Sequence, residues 1–150
     1  MSRPTRDELA AWRAFLEAHH GVMSRLTEEL EEVGLPIGFY DVLIHLTEEG
    51  PDGLRMADLA RRVLVSRSGL TRLVDRMEQD GLVRRRPSPE DGRGYYVTAT
   101  PQGKTALCNA SPTHLRGIAA HFTSQLTHGE IAVISEALSR VAKAAVHVKS

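Results

Sequence analysis

Six side chains between Ser66 and Arg76 carry the densest chemistry in the sequence: Ser66, Arg67, Ser68, Thr71, Arg72 and Arg76. A guanidinium is a planar fork of donors that matches the paired acceptors of a phosphate or a guanine edge, and a hydroxyl both donates and accepts. Leu70, Leu73, Val74 and Met77 recur among them at helical spacing. Such a helix buries one face and displays the hydroxyls and arginines on the other. Small hydroxyl residues near its start allow close approach to a partner, and the arginines supply the long donors. A second group surrounds the first: Arg55 upstream, Arg84, Arg85 and Arg86 downstream, and Arg93 between Gly92 and Gly94. Arg55 and Arg84 to Arg86 suit phosphates, contacts that position a protein without specifying sequence. Arg93, at the tip of a glycine-flanked turn, suits insertion into an adjacent minor groove. Together this is the chemistry of double-stranded DNA recognition.

The charge distribution agrees, although the total does not advertise it. The chain of 150 residues has a formal net charge of zero. Residues 1–53 sum to −7, residues 54–104 to +5 and residues 105–150 to +2, and ten of the eleven cations in the middle stretch are arginines. A basic island inside a less basic scaffold is the electrostatic footprint of a nucleic-acid module. Hydrophobic content of 41% and charged content of 25% are those of a globular chain with a real core. No apolar run approaches the roughly 18 residues that span a bilayer, and Met1 to Arg6 is polar with no apolar stretch behind it. A cytoplasmic protein without membrane contact is expected. The one cysteine, Cys108, excludes an internal disulfide and fits a reducing compartment.

The elements that must hold these residues can be read in order. Thr5-Arg-Asp-Glu8 is a capping box. Leu9, Trp12, Leu16, His19, Met23, Leu26, Leu30 and Val33 follow at alternating spacings of three and four. That seam predicts a helix of about seven turns packed against another helix, from this chain or a second one. Pro36 opens a second helix with Phe39, Val42, Leu43 and Leu46 inward, ending before Gly50-Pro51. A third, Met56 to Val63, buries Met56, Leu59, Ala60 and Val63. A turn through Leu64 and Val65 leads to Ser66, placed to cap the fourth helix, which closes at Asp80-Gly81. Leu82–Arg86 and Tyr95–Ala99 read as the two strands of a hairpin, joined by a solvent-exposed eight-residue tip from Pro87 to Gly94. Thr100-Pro101 starts a fifth helix, which Pro112 is expected to kink or restart. Thr127 to Glu130 is a second capping box before a seam of Ile131, Ile134, Leu138, Val141, Ala145 and Val148. The fold class is therefore mainly α with a small β-hairpin wing, a winged helix-turn-helix between two helical ends. Residues 36–103 form the DNA-binding domain, and 1–35 with 104–150 form the helical region.

Several stretches resemble one family: Ala57-Asp-Leu-Ala60, Val65 to Glu78, Gly81-Leu-Val-Arg-Arg, Asp91-Gly-Arg-Gly and Val97 to Gly103. The chain is similar in these to the MarR family of transcription regulators. The likeness covers the whole chain and is most specific between Gly81 and Gly103. It implies an obligate homodimer built from the terminal helices, with Leu9, Leu16, Ile131, Leu138 and Val141 as dimerisation residues. It implies binding to a palindromic operator, and release by a small ligand or an oxidant. On the same likeness Arg93 is the minor-groove arginine of the wing, and Asp91 supports the wing's shape. Pro112 departs from the pattern, since the family's fifth helix is often continuous.

The signal is written less plainly. Trp12, Phe15 and His19 from the first helix, with Phe39 and His45 from the second, could line a site for a small aromatic or phenolic ligand; taken singly, each reads more simply as core or seam. His114, His121 and His128 are spaced by seven and His19 and His20 are adjacent. Helical zinc sites use ligands three or four apart, so no metal and no cofactor is expected. Cys108 reads as a quiet buried thiol, because the family's redox-responsive members place their cysteine in the first helix. No glycine-rich phosphate loop, no serine-histidine-acid arrangement and no HExxH occurs, so no enzyme is expected. The rival from another class is a dimerisation module that binds no DNA. It accounts for the seams and leaves the arginine-bearing wing without a role.

Overall fold

A computed structural model describes residues 2–63, 66–90 and 94–147. Helix α1 (Arg6–Glu32) starts at the predicted capping box. The Thr5 hydroxyl accepts from the Glu8 N–H at 3.2 Å, and the Glu8 carboxylate accepts from the Thr5 N–H at 2.6 Å. After Gly34, α2 (Ile37–Glu49) leads to a short strand β1 (Leu54–Arg55), then α3 (Met56–Val63) and α4 (Arg67–Gln79). Strands β2 (Val83–Pro87) and β3 (Tyr95–Ala99) follow, then α5 (Pro101–His121), a 3-10 turn at Thr123–Gln125 and α6 (His128–His147). The second capping box forms as read, Thr127 N–H donating to Glu130 at 2.8 Å and Glu130 N–H to the Thr127 hydroxyl at 3.3 Å.

The chain divides into two compact units, one of Leu26–His114 and the other of Met1–Arg25 with Leu115–Ser150. The first has the core. Leu30, Leu43, Leu46, Leu59, Leu70, Met77, Val83 and Val97 are fully buried, and Phe39, Leu35, Leu107 and Ala110 close the cluster. This unit extends beyond 36–103 at both ends: Leu30, Leu107 and Ala110 belong to that core, and Leu26 is buried as well. Met56 and Leu73, expected to be buried, are partly buried at the core's edge. In the other unit none of the described hydrophobic side chains is buried, and Leu9, Trp12, Leu16, Ile131, Leu138 and Val141 are all exposed. Val148, the last residue of the predicted seam, lies outside the described residues.

Four expectations are corrected. The sheet has three strands in the order β1-β3-β2, not two, because Leu54 pairs with Val97 and Arg55 with Tyr96. Gly53 makes this approach feasible: its φ is +74°, and a Cβ there would lie 2.1 Å from the Val97 carbonyl oxygen. Helix α5 runs from Pro101 to His121 with Pro112 inside it, so it does not restart there. A proline removes only one helical hydrogen bond, and the helix is anchored to the core just before it by buried Leu107 and Ala110. Ser88, read as part of an exposed tip, is 3% exposed, its N–H bonded to the Gly94 carbonyl at 2.8 Å. Cys108, read as buried, is exposed, since Leu107 and Ala110 set the buried face of α5 and position 108 falls off it.

Candidate nucleic-acid interface

Helix α4 is anchored at its start and along one face. The Ser66 hydroxyl accepts from the Gly69 N–H at 3.1 Å, the cap read from sequence. Leu70, Val74 and Met77 are buried, so Ser66, Arg67, Ser68, Thr71 and Arg72 are left exposed together on the first two turns. No acidic residue lies in the first turn, and the positive end of the helix dipole is therefore uncompensated by the helix itself, which suits a phosphate. The Thr71 hydroxyl donates to the Arg67 carbonyl at 2.9 Å, which leaves its lone pairs available. Arg76 departs from this group. Its guanidinium lies 5.3 Å from the centre of the buried Phe39 ring, so it leans back over α2.

The sheet sorts the downstream arginines by face. Arg84 opposes Thr98, Arg86 opposes Tyr96, and Arg55 opposes Tyr96 from the other side. Side chains alternate along a strand, so Arg55, Arg84 and Arg86 share the outer face, and Val83, Arg85 and Val97 share the inner one. Arg85 therefore turns toward α4, where it meets Asp75 at 2.5 Å and Glu78 at 3.2 Å. Its own N–H also donates to Glu78 at 2.9 Å, and that bond is the main reason the Glu78 carboxyl lies below its ordinary pKa. The expectation of a phosphate contact from Arg85 is corrected: it ties the wing to α4. Arg61 pairs with Asp58 and Arg62 with Glu49. Among the described residues Arg67, Arg72 and Arg84 have no ion-pair partner. A groove of about 360 Å³ lies between the two groups, lined by Arg55, Arg67, Leu70, Thr71, Gly94 and Tyr95. Arg93 and Asp91 lie outside the described residues.

The residues read as a ligand lining fall in both units. Trp12, Phe15 and His19 form a ladder of rings along exposed α1, with centroids 5.9 Å and 6.3 Å apart. Phe39 is 3% exposed in the core. His45 faces Asp41 at 3.6 Å. One cluster escaped the sequence reading. The Tyr40 and His114 rings meet with centroids 4.3 Å apart, tilted by 42°, the Tyr40 hydroxyl meets the Ser111 hydroxyl at 3.3 Å, and the buried His114 Nδ1 has no hydrogen-bond partner. Periodicity does not link α2 to α5 across so long a stretch of chain, so no sequence signal exposed this pairing. Burial lowers the His114 pKa below 6.5, opposed by the Asp41 charge, and burial raises the Asp41 pKa, opposed by His45 and His114.

The stability consequence has a definite sign. A depressed histidine pKa means that the unfolded chain binds the proton more tightly, so stability present above about pH 6.5 is lost as pH falls toward the folded value. The raised Asp41 value acts in the opposite direction, but only at lower pH, where carboxylates titrate. Thermal melts at pH 7.5 and 5.5 should therefore show a smaller acid loss for His114→Gln than for the unsubstituted protein. Equal losses in the two would remove His114 from the pH response.

Three comparisons with known proteins bear on this geometry. The sequence model of the MarR family matches residues 33–94. AbsC, a MarR family transcriptional regulator from Streptomyces coelicolor, superimposes with a TM-score of 0.86 at 30% identity, covering 99% of each chain. Sco3205, a MarR family transcriptional regulator from the same organism solved in complex with DNA, gives a TM-score of 0.88 at 30% identity, covering 96% of this chain and 91% of that one. The homoprotocatechuate degradative operon repressor of Escherichia coli is 37% identical over 94 residues, which is 57% of this chain and 62% of its own length.

Proposed function

This chain belongs to the MarR family of DNA-binding transcription regulators, and we propose that it is a repressor acting as a homodimer on a palindromic operator. The observation that carries this reading is the exposed group Ser66, Arg67, Ser68, Thr71 and Arg72 at the start of α4. It lies across a groove from the arginine-bearing sheet. Each α4 enters a major groove, and the two copies stand about 34–36 Å apart, one turn of the duplex. Arg55, Arg84 and Arg86 meet phosphates, Arg76 contributes from the far end of α4, and Arg93 enters the neighbouring minor groove on a wing shaped by Asp91. The two protomers join through Leu9, Leu16, Ile131, Leu138 and Val141. The protein regulates and does not catalyse, and it acts in the cytoplasm, where its operator is. No helix of the described residues is long and apolar enough to cross a membrane.

The signal in this reading is a small aromatic or phenolic ligand. The ring ladder of Trp12, Phe15 and His19 supports it, as does the name of the Escherichia coli relative. Such a ligand acts only to the extent that it prefers a spacing of the two α4 helices that does not fit DNA.

Selection of bound duplexes from a random pool tests the function directly, and the selected site should be a palindrome. On that site Arg72→Ala and Arg93→Ala should each weaken binding by about 1–3 kcal/mol, and affinity should fall steeply with salt. Recovery of no enriched sequence would exclude specific recognition. Full affinity in either arginine variant would remove that residue from the interface.

A further inference from the structure

Tyr96 occupies an unusual place among the cations of the wing. It stands in the central strand, directly opposite Arg55 on one side and directly opposite Arg86 on the other. Residues opposed in this way share a face and touch. The guanidinium carbon of Arg55 lies 5.3 Å from the centre of the Tyr96 ring and that of Arg86 lies 5.2 Å from it. Both are within the roughly 6 Å over which a ring attracts a cation. The Tyr96 hydroxyl also accepts from Arg55 Nε at 3.1 Å. At the other end, Arg86 Nη2 donates to the Asp52 carbonyl at 3.0 Å.

Two like charges on the same face, flanking one central strand, ordinarily repel. Here a single aromatic ring stands between them and holds both. The hydroxyl takes Nε of Arg55, leaving its terminal nitrogens to the outer side, where Nη2 pairs with Glu90. An anion arriving at that face competes with the Glu90 carboxylate and finds two guanidiniums held against one ring. We propose that Tyr96 is a positioning residue for DNA binding, fixing Arg55 and Arg86 as a matched pair of phosphate contacts on the outer face of the wing. The proposal rests on the reading of Arg55 and Arg86 as phosphate contacts. It adds a residue that has no charge and that the sequence pattern presents merely as a strand aromatic.

The test is a salt titration of operator affinity for four variants: Tyr96→Phe, Tyr96→Leu, the double Arg55→Ala/Arg86→Ala, and that double combined with Tyr96→Leu. Thermal melts confirm that each is folded. Tyr96→Phe keeps both ring contacts and should stay within about threefold of the unsubstituted protein, since it loses one hydrogen bond only. Tyr96→Leu should lose about tenfold in affinity and lower the salt slope by about one to two. In the background lacking both arginines, Tyr96→Leu should have no further effect. An unchanged affinity and slope for Tyr96→Leu overturns the proposal. So does an equal loss in the arginine-free background, which would mean that the ring acts on the fold or on DNA itself. If the double arginine variant keeps full affinity and slope, the premise fails instead, a result distinguishable because Tyr96 is intact in it.

Discussion

Charging the helical seam should abolish tight operator binding without touching any residue that faces DNA. Ile131→Glu combined with Leu138→Glu is expected to yield a monomer at micromolar concentration and to lower affinity for the full palindrome by about a hundredfold or more. In the unit formed by Met1–Arg25 and Leu115–Ser150, no described apolar side chain is buried. Leu9 is 50% exposed, Trp12 58% and Val141 65%. Fully burying one such side chain is worth about 1.5–3 kcal/mol. A row of them left in water on long helices is a surface that a second copy would cover, because the same row on the partner is self-complementary about a two-fold axis. Two carboxylates in that row would have to be desolvated against leucines, and the dimer would open. Light scattering reads the size, and titration against full and half operators reads the function. Half-site affinity should be unchanged. A dimer that persists, or full-site binding that survives, would place the contact between copies elsewhere.

The second large effect is on folding. Gly103→Ala should destabilise the DNA-binding unit by on the order of 3 kcal/mol, a loss of roughly 6–12 °C in melting temperature. A Cβ at this position would lie 2.0 Å from the Leu82 carbonyl oxygen and 3.0 Å from a methyl of buried Leu43. Neither can retreat. Leu82 O accepts the Thr100 N–H at 3.0 Å, and the Thr100 hydroxyl accepts from the Gly103 N–H at 3.0 Å while donating to Gly81 O at 2.5 Å. The start of α5 is thus sewn to the loop that opens β2. Pushing them apart breaks bonds worth about 1 kcal/mol each and loosens the wing at its base. Gly21→Ala is the control. Nothing lies within 4 Å of its added methyl, and mid-helix alanine is better than glycine by about 0.5–1 kcal/mol, so this variant should melt higher. Calorimetry of both distinguishes close packing from helix propensity, and a Gly103→Ala protein that melts normally would show that α5 can shift without cost.

Much of the fold was legible because its signals are local. Both capping boxes, the Ser66 cap and the limits of α3 follow from residues three or four apart. What escaped depends on distant partners. Strand β1 has two residues, too few to show a period, and it exists because β3 lies beside it. Pro112 argues locally for a break, yet α5 continues past it to His121. Within the candidate interface, the exposed hydroxyls and arginines of early α4 were readable from the alternation with Leu70, Val74 and Met77. The separation of Arg85 from Arg84 and Arg86 was not, since three consecutive arginines look alike until the strand's register turns one of them toward Asp75 and Glu78. Arg76 over Phe39, and Tyr40 against His114, likewise needed the third dimension.

The small strand β1 has a consequence for which DNA can be read. It runs directly into α3 while it is bonded to β3, and Arg85 fastens β2 to α4. If α4 and the wing contact DNA as proposed, they are therefore parts of one gauge rather than two fingers on a hinge. A gauge reads spacing as well as letters. One extra base pair between the groove segments that α4 and the wing are proposed to touch would displace them by about 3.4 Å and roughly a tenth of a turn, an offset opposed by these ties. Tolerance within each half-site would then be set by the stiffness of DNA, not of protein.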